Sequence, residues 1–171
     1  MIEIQPFETK YESEVIQLIL SIQRDEFGIP ITAEDQPDLR IIPDFYQSGD
    51  GAFLVAVSEQ SVVGTIALKG IGNGQAALRK MFVAASFRGR EHQVAARLLR
   101  KLLTDAVSQG VSEVFLGTTG KFLAAHRFYE KHGFREISAE ELPASFPRMG
   151  FDDKFYALQP DELLALVRNS A

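Results

Sequence analysis

The chain of 171 residues has no cysteine and no tryptophan, and only three histidines and three methionines. Without cysteine there is no disulfide framework, no thiolate metal site and no cysteine nucleophile. The same lack fits a reducing compartment. Positive charge is also in deficit, with 18 Lys and Arg against 23 Asp and Glu and a formal net charge of −5. Nucleic-acid binding needs a basic surface to displace counterions, so that class is disfavoured, while a local basic patch for a small anion stays open. No apolar run reaches the roughly 18–20 residues of a membrane helix. The opening Met1-Ile2-Glu3-Ile4-Gln5-Pro6 lacks the basic-then-apolar layout of a secretory signal. The expectation is a soluble, cytoplasmic protein with no nucleic-acid and no membrane partner.

What is present is ordinary for a folded protein: 46% hydrophobic and 24% charged residues. At about 100–200 residues per domain the length predicts one domain over 1–171. Gly and Pro punctuate the chain, and no repeat is visible.

Ile2 to Phe7 alternates and predicts a short strand. Tyr11, Val15, Leu18 and Ile22 recur at helical spacing and predict a helix over Glu8 to Phe27, closed by Gly28 and Pro30. A second short helix is expected within Asp35 to Tyr46, interrupted near Pro43. Three strands follow, over Ala52–Val57, Val62–Lys69 and Ala76–Val83. Val94, Leu98, Leu102 and Ala106 form one stripe of a strongly amphipathic helix that Gly110 stops. A strand over Val111–Leu116, a helix over Phe122–His132, a strand from Phe134, a strand over Phe151–Leu158 and a helix opened by Pro160 complete the order. This is a mixed α/β sheet: an antiparallel meander, then a strand–helix–strand crossover, with helices on both faces.

The segment MFVAASFRGREHQVAARLL, residues 81–99, is the most informative. A strand ends at Val83, the loop Arg88-Gly89-Arg90 follows, and a helix starts at once. A helix start offers unpaired N–H groups and the positive end of the macrodipole, which suits a phosphate. Taken alone, the loop is either such an anion site or a connector with solvated arginines. It is neither a P-loop nor a dinucleotide fingerprint.

It does resemble the acyl-CoA pyrophosphate motif Q/R-x-x-G-x-G/A of the GNAT N-acetyltransferase superfamily, with Arg90 first, Gln93 where glycine is usual, and Ala95 last. AAHRFYEKHGF, residues 124–134, resembles the second signature of that family, matched by Ala125, Phe128, Tyr129, Glu130, Lys131, Gly133 and Phe134. The meander, the later alternation and FPRMGFDDKFYAL agree, so the resemblance spans most of the chain.

That resemblance implies the GNAT acyl-CoA N-acyltransferase fold, in which two central parallel strands splay around acetyl-CoA as cosubstrate, with no metal. It implies that Met81, Phe82 and Val83 present backbone to the pantetheine arm. Arg88, Gly89, Arg90, Glu91, His92, Gln93, Val94 and Ala95 would hold the pyrophosphate. Thr118 and Thr119 would lie across the gap, and Ala125 and Phe128 would pack on the arm. Tyr129 takes the general-acid position, against the plain alternative of a core tyrosine. The implied activity is direct acetyl transfer to the primary amine of a small molecule or peptide. The alternatives are a CoA-binding sensor or interaction domain that has lost the chemistry, and a phosphate- or nucleotide-binding α/β protein outside the family.

The usual carboxylate position of the family falls on Ala77, so a base must come from water or from elsewhere. Glu34, Asp35, Asp38, Asp152 and Asp153 are candidates by location, each otherwise a solvated loop charge. His126 is expected to be partly exposed, and His92 could donate to a phosphate. The segments Phe27–Tyr46 and Ala139–Met149 would flank the acceptor, and their carboxylates suggest an acidic mouth that suits a cationic amine. A homodimer through a sheet edge is one arrangement open to the chain.

Overall fold

The structure, a computed structural model, describes residues 1–169. Its centre is a seven-stranded sheet in the order β1-β2-β3-β4-β5-β7-β6. The strands are β1 Ile2–Pro6, β2 Ala52–Ser58, β3 Ser61–Gly72, β4 Gln75–Val83, β5 Glu113–Thr118, β6 Arg135–Ile137 and β7 Lys154–Leu158. The α-helices are α1 Glu12–Leu20, α2 Ile42–Phe45, α3 Val94–Ser108, α4 Leu123–Lys131 and α5 Pro160–Arg168. No helix among the described residues is long and apolar enough to cross a membrane.

Alternation along the strands decides which helix covers which face. Leu54 and Ala56 of β2, with Ile66 and Leu68 of β3, pack against Val94, Leu98, Leu99, Leu102 and Leu103 of α3. Their neighbours Phe53, Val55, Val57 and Ala67 turn to Tyr11, Val15, Ile16 and Ile19 around α1. Gly64 is where α3 comes closest: a Cβ there would sit 3.1 Å from Val94 and 3.2 Å from Leu98.

β1 to β4 form an antiparallel meander, and β4 pairs with β5 in parallel. The sequence order of the elements matches expectation, with local differences at element ends; the helix expected within Asp35–Tyr46 is a 3-10 turn over Pro37–Arg40 followed by α2. The helix expected over Glu8–Phe27 is a 3-10 turn, then α1, then a π-helical segment over Ser21–Glu26 that ends in a bond from Phe27 N–H to Ile22 C=O. β5 runs to Thr118 rather than Leu116. β7 starts at Lys154, because Asp152 and Asp153 are held by loop hydrogen bonds instead of a ladder.

Candidate functional site

β4 and β5 pair only through Gln75–Glu113, Ala76–Val114 and Ala77–Phe115. Beyond Ala77 the two strands have no ladder between them, and β5 takes β7 as its partner through to Thr118. A cavity of about 790 Å³ opens there. Its walls include Met81, Phe82 and Val83 of β4, Arg88, Gly89, Arg90, Gln93, Val94 and Ala95 at the start of α3, and Thr118 and Thr119 after β5. Ala125, Phe128 and Tyr129 of α4 face it as well. The tip of α3 and the tyrosine thus share one space. Glu91 and His92 are outside that wall: Glu91 is exposed, and His92 stacks near Phe87 with ring centroids 5.4 Å apart.

The start of α3 carries no side-chain cap, so its first N–H groups are left for a ligand or for water. Gln93 is left-handed at φ 53°, which explains why glycine suits this position. Gly89 also has a positive φ, with open space around its Cα. Arg88 is not a free cation. Its guanidinium forks onto Glu26, with one bond at 2.7 Å and a shorter one, and its Nε donates to Val83 C=O at 2.7 Å. The arginine holds Glu26 below the usual carboxylate range. Arg88 therefore ties the π-helical segment to the end of β4 and leaves Arg90 as the solvated cation of the loop.

Tyr129 is buried at 6% exposure, and burial pushes its phenol pKa up. It lines the cavity, and no hydrogen bond to its hydroxyl exists among the described residues. No fully buried side-chain oxygen among the described residues lacks a partner, so this hydroxyl is reachable from the cavity, where a ligand is its natural acceptor. His126 differs from expectation. It is buried, not partly exposed, because its Nε2 meets Thr119 C=O at 2.9 Å and fixes the turn after β5.

Of the five candidate carboxylates, Asp152 alone lines the cavity. It accepts from Met149 N–H at 2.9 Å and packs over Gly117, and burial raises its pKa. Asp153 accepts from Gly120 N–H, and Asp35 is used by Thr32. Glu34 is exposed and off the wall. Asp38 is buried, accepting from Tyr46 hydroxyl at 2.6 Å with Lys80 Nζ at 3.6 Å.

The half of the cavity lined by residues from 27–46 and 139–149 is not acidic. Arg79, Lys80 and Lys121 line the cavity beside the single Asp152. The expectation of an acidic mouth fails because the carboxylates of 27–46 turn to solvent, to loop caps or to a buried pair. Arg79 and Lys80 were missed in the sequence because adjacent residues of a regular strand point to opposite faces. Here β4 carries an extra residue: Arg79 opposes Ala67 and Phe82 opposes Thr65, with Lys80 at φ 55° between them. Thr65 Oγ1 satisfies the displaced Lys80 C=O at 2.7 Å. The bulge turns both cations to the α1 side, where Arg79 meets Tyr46 and Lys80 meets Gln36 at 2.6 Å. Burial pushes the Lys80 ammonium down to about 8, against the pull of Asp38. The signal present in the sequence was two adjacent cations inside an apolar strand.

The acetyltransferase (GNAT) family model matches residues 16–134. The chain belongs to the GNAT acetyltransferase family. As a GNAT acetyltransferase it is an acyltransferase. It is similar to a solved GNAT acetyltransferase from Staphylococcus aureus Mu50, at 39% identity over 93% of this chain and 99% of that one, with a TM-score of 0.89. It is 37% identical over 106 residues to N-acetylaspartate synthetase of Xenopus tropicalis. That match takes in 61% of this chain and 38% of the relative, so the chain spans well under half of the curated relative's length. The fold is also that of the PaiA N-acetyltransferase of Thermoplasma acidophilum, solved in complex with coenzyme A, at 20% identity over 93% and 99% of the two chains and a TM-score of 0.70.

Proposed function

We propose that this GNAT acetyltransferase moves the acetyl group of acetyl-CoA directly to the primary amine of a small molecule. One observation carries the reading: an uncapped helix start, an unladdered strand edge and a phenol without a partner line a single cavity. The residues fit the cosubstrate. The N–H groups at the start of α3, with Gly89, Arg90, Gln93, Val94 and Ala95, would hold the pyrophosphate. Arg88 shapes this loop through Glu26. The edge of β4 at Met81, Phe82 and Val83, the far wall at Thr118 and Thr119, and Ala125 and Phe128 would hold the pantetheine arm.

Acetyl-CoA supplies an activated thioester carbonyl, and the chain supplies position and protons. The new bond is amine nitrogen to carbonyl carbon, and the broken bond is carbon to sulfur. Asp152 takes the proton that the ammonium must lose, its raised pKa bringing it nearer the working pH. Backbone N–H groups of the β4 edge would stabilise the developing oxyanion. Tyr129 stays protonated at any working pH and gives its proton towards the departing sulfur. Direct transfer is supported by the lack of cysteine, and a small-molecule acceptor by the name of the curated relative.

The test is thermal stabilisation by acetyl-CoA, followed by thiol release with a panel of amines. The expected result is stabilisation together with amine-dependent release. In Tyr129→Phe, kcat is expected to fall by about 10²-fold while the dissociation constant of acetyl-CoA stays within about twofold. Stabilisation without release on any amine would point to a binding module. Stabilisation by ATP or NAD and not by acetyl-CoA would defeat the proposal.

A further inference from the structure

Arg79 is half-buried in the cavity wall, on the acceptor side of the bulge. Its nearest polar partner is the thioether of Met149 at 3.0 Å from Nη2. The rings of Phe45 and Tyr46 lie 5.8 and 5.9 Å from its Cζ. Among the described residues no carboxylate comes within 4.0 Å of it. Lys80 beside it already has Asp38 and Gln36. Arg79 is thus a half-buried guanidinium with no carboxylate in direct contact, and its fork of donors matches one. Asp152, the one acid of this wall, interacts with Arg79 across the same space and keeps a carboxylate for the opposite charge.

We infer that the acceptor is an amino-carboxylate: Arg79 pairs with its carboxylate, and Asp152 faces its ammonium group. Two opposite charges fixed on the wall orient such a molecule with its nitrogen at the base and its anionic end away from the thioester. A polyamine would meet Arg79, Lys80 and Lys121 with only Asp152 in its favour. This rests on the acetyl-transfer reading above and names its substrate class.

The experiment pairs each amino acid with its methyl ester, using acetyl-CoA and the intact chain, with spermidine as the cationic arm. An ester removes the anion while leaving the amine less basic, so any bias of reactivity runs against the expected result. The acids are expected to exceed their esters and spermidine at least tenfold in kcat/KM. Arg79→Met is expected to erase that ratio through KM for the amine, and Arg79→Lys to restore part of it. Propionate, a carboxylate with no amine and no second anion to meet Asp152, is expected to inhibit the unmodified protein in competition with the amine. This arm needs no variant to fold. Acetyl-CoA-dependent turnover that is equal on acids and esters, or better on spermidine, would overturn the inference and leave acetyl transfer standing. Propionate without effect would also overturn it. Failure to bind acetyl-CoA at all would remove the acetyl-transfer reading, and this inference with it.

Discussion

Gly117 offers the sharpest probe of Asp152. The glycine is on β5 with no positive φ, so alanine meets no backbone strain there. A Cβ at this position would lie 2.5 Å from Asp152 Oδ2 and 2.8 Å from its Cγ. Ordinary contact begins near 3.4 Å, so the carboxylate must retreat by about 0.9 Å. The obstacle is a side-chain tip, so the sheet survives and the base moves. A misplacement of about 1 Å at a reacting group costs on the order of 10² in rate. Gly117→Ala is therefore expected to lower kcat about a hundredfold with acetyl-CoA and the best amine of the panel. The hydrogen bond to Met149 N–H is strained, and the Phe155 ring edge at 3.1 Å must give slightly. Together these cost about 1–2 kcal/mol, or a fall in Tm of roughly 3–6 °C for a chain of this size. Asp152→Asn removes the base outright and is expected to cost at least as much. In the Asp152→Asn background the alanine should then add little further loss, because both changes act on one group. The reasoning is refuted if Gly117→Ala keeps kcat within about threefold, or if it slows the Asp152→Asn enzyme by a further factor near a hundred.

Gln93→Gly relieves a left-handed φ that costs an ordinary residue about 1–2 kcal/mol, offset by the greater chain entropy of glycine. A net gain of up to about 1 kcal/mol is expected, read as a Tm rise of roughly 2–4 °C. A lower Tm would show that the Gln93 side-chain bond to Arg90 C=O at 2.9 Å outweighs the strain. The depressed pKa of Lys80 predicts a pH dependence of stability. Below about pH 8 the lysine is charged whether folded or unfolded, and its burial cost is felt in full. Between about 8 and its ordinary 10.5 the unfolded chain binds more protons, so this residue's contribution to stability rises with pH. Urea midpoints at pH 8 and pH 10 should therefore rise for the native chain relative to Lys80→Met/Asp38→Asn, and a flat or falling difference would refute it.

Much of the molecule was legible in the sequence because its signals are local. The stripe of Val94, Leu98 and Leu102 needs only a period of 3.6 to predict α3, and alternation predicts the meander. Two motifs at a fixed separation pointed to the family. The cations at 79 and 80 were not legible, because the inserted residue that turns both to one face is decided by the pairing of β4 with β3. Asp152 was one acid among five until β7 brought it over Gly117. Arg88 read as a phosphate ligand, and its pairing with Glu26 joins residues far apart in the chain.

Sequence by itself determined the order of strands and helices, where α3, α4 and α5 begin and which tyrosine stands in the second motif, since these depend on neighbours within a turn or two. Tertiary structure alone decided where β4 leaves β5, which carboxylate reaches the opening and that Arg79 turns into the cavity wall with no carboxylate in direct contact. Those outcomes depend on strand register and on loops meeting across the sheet, and no period along the chain encodes them.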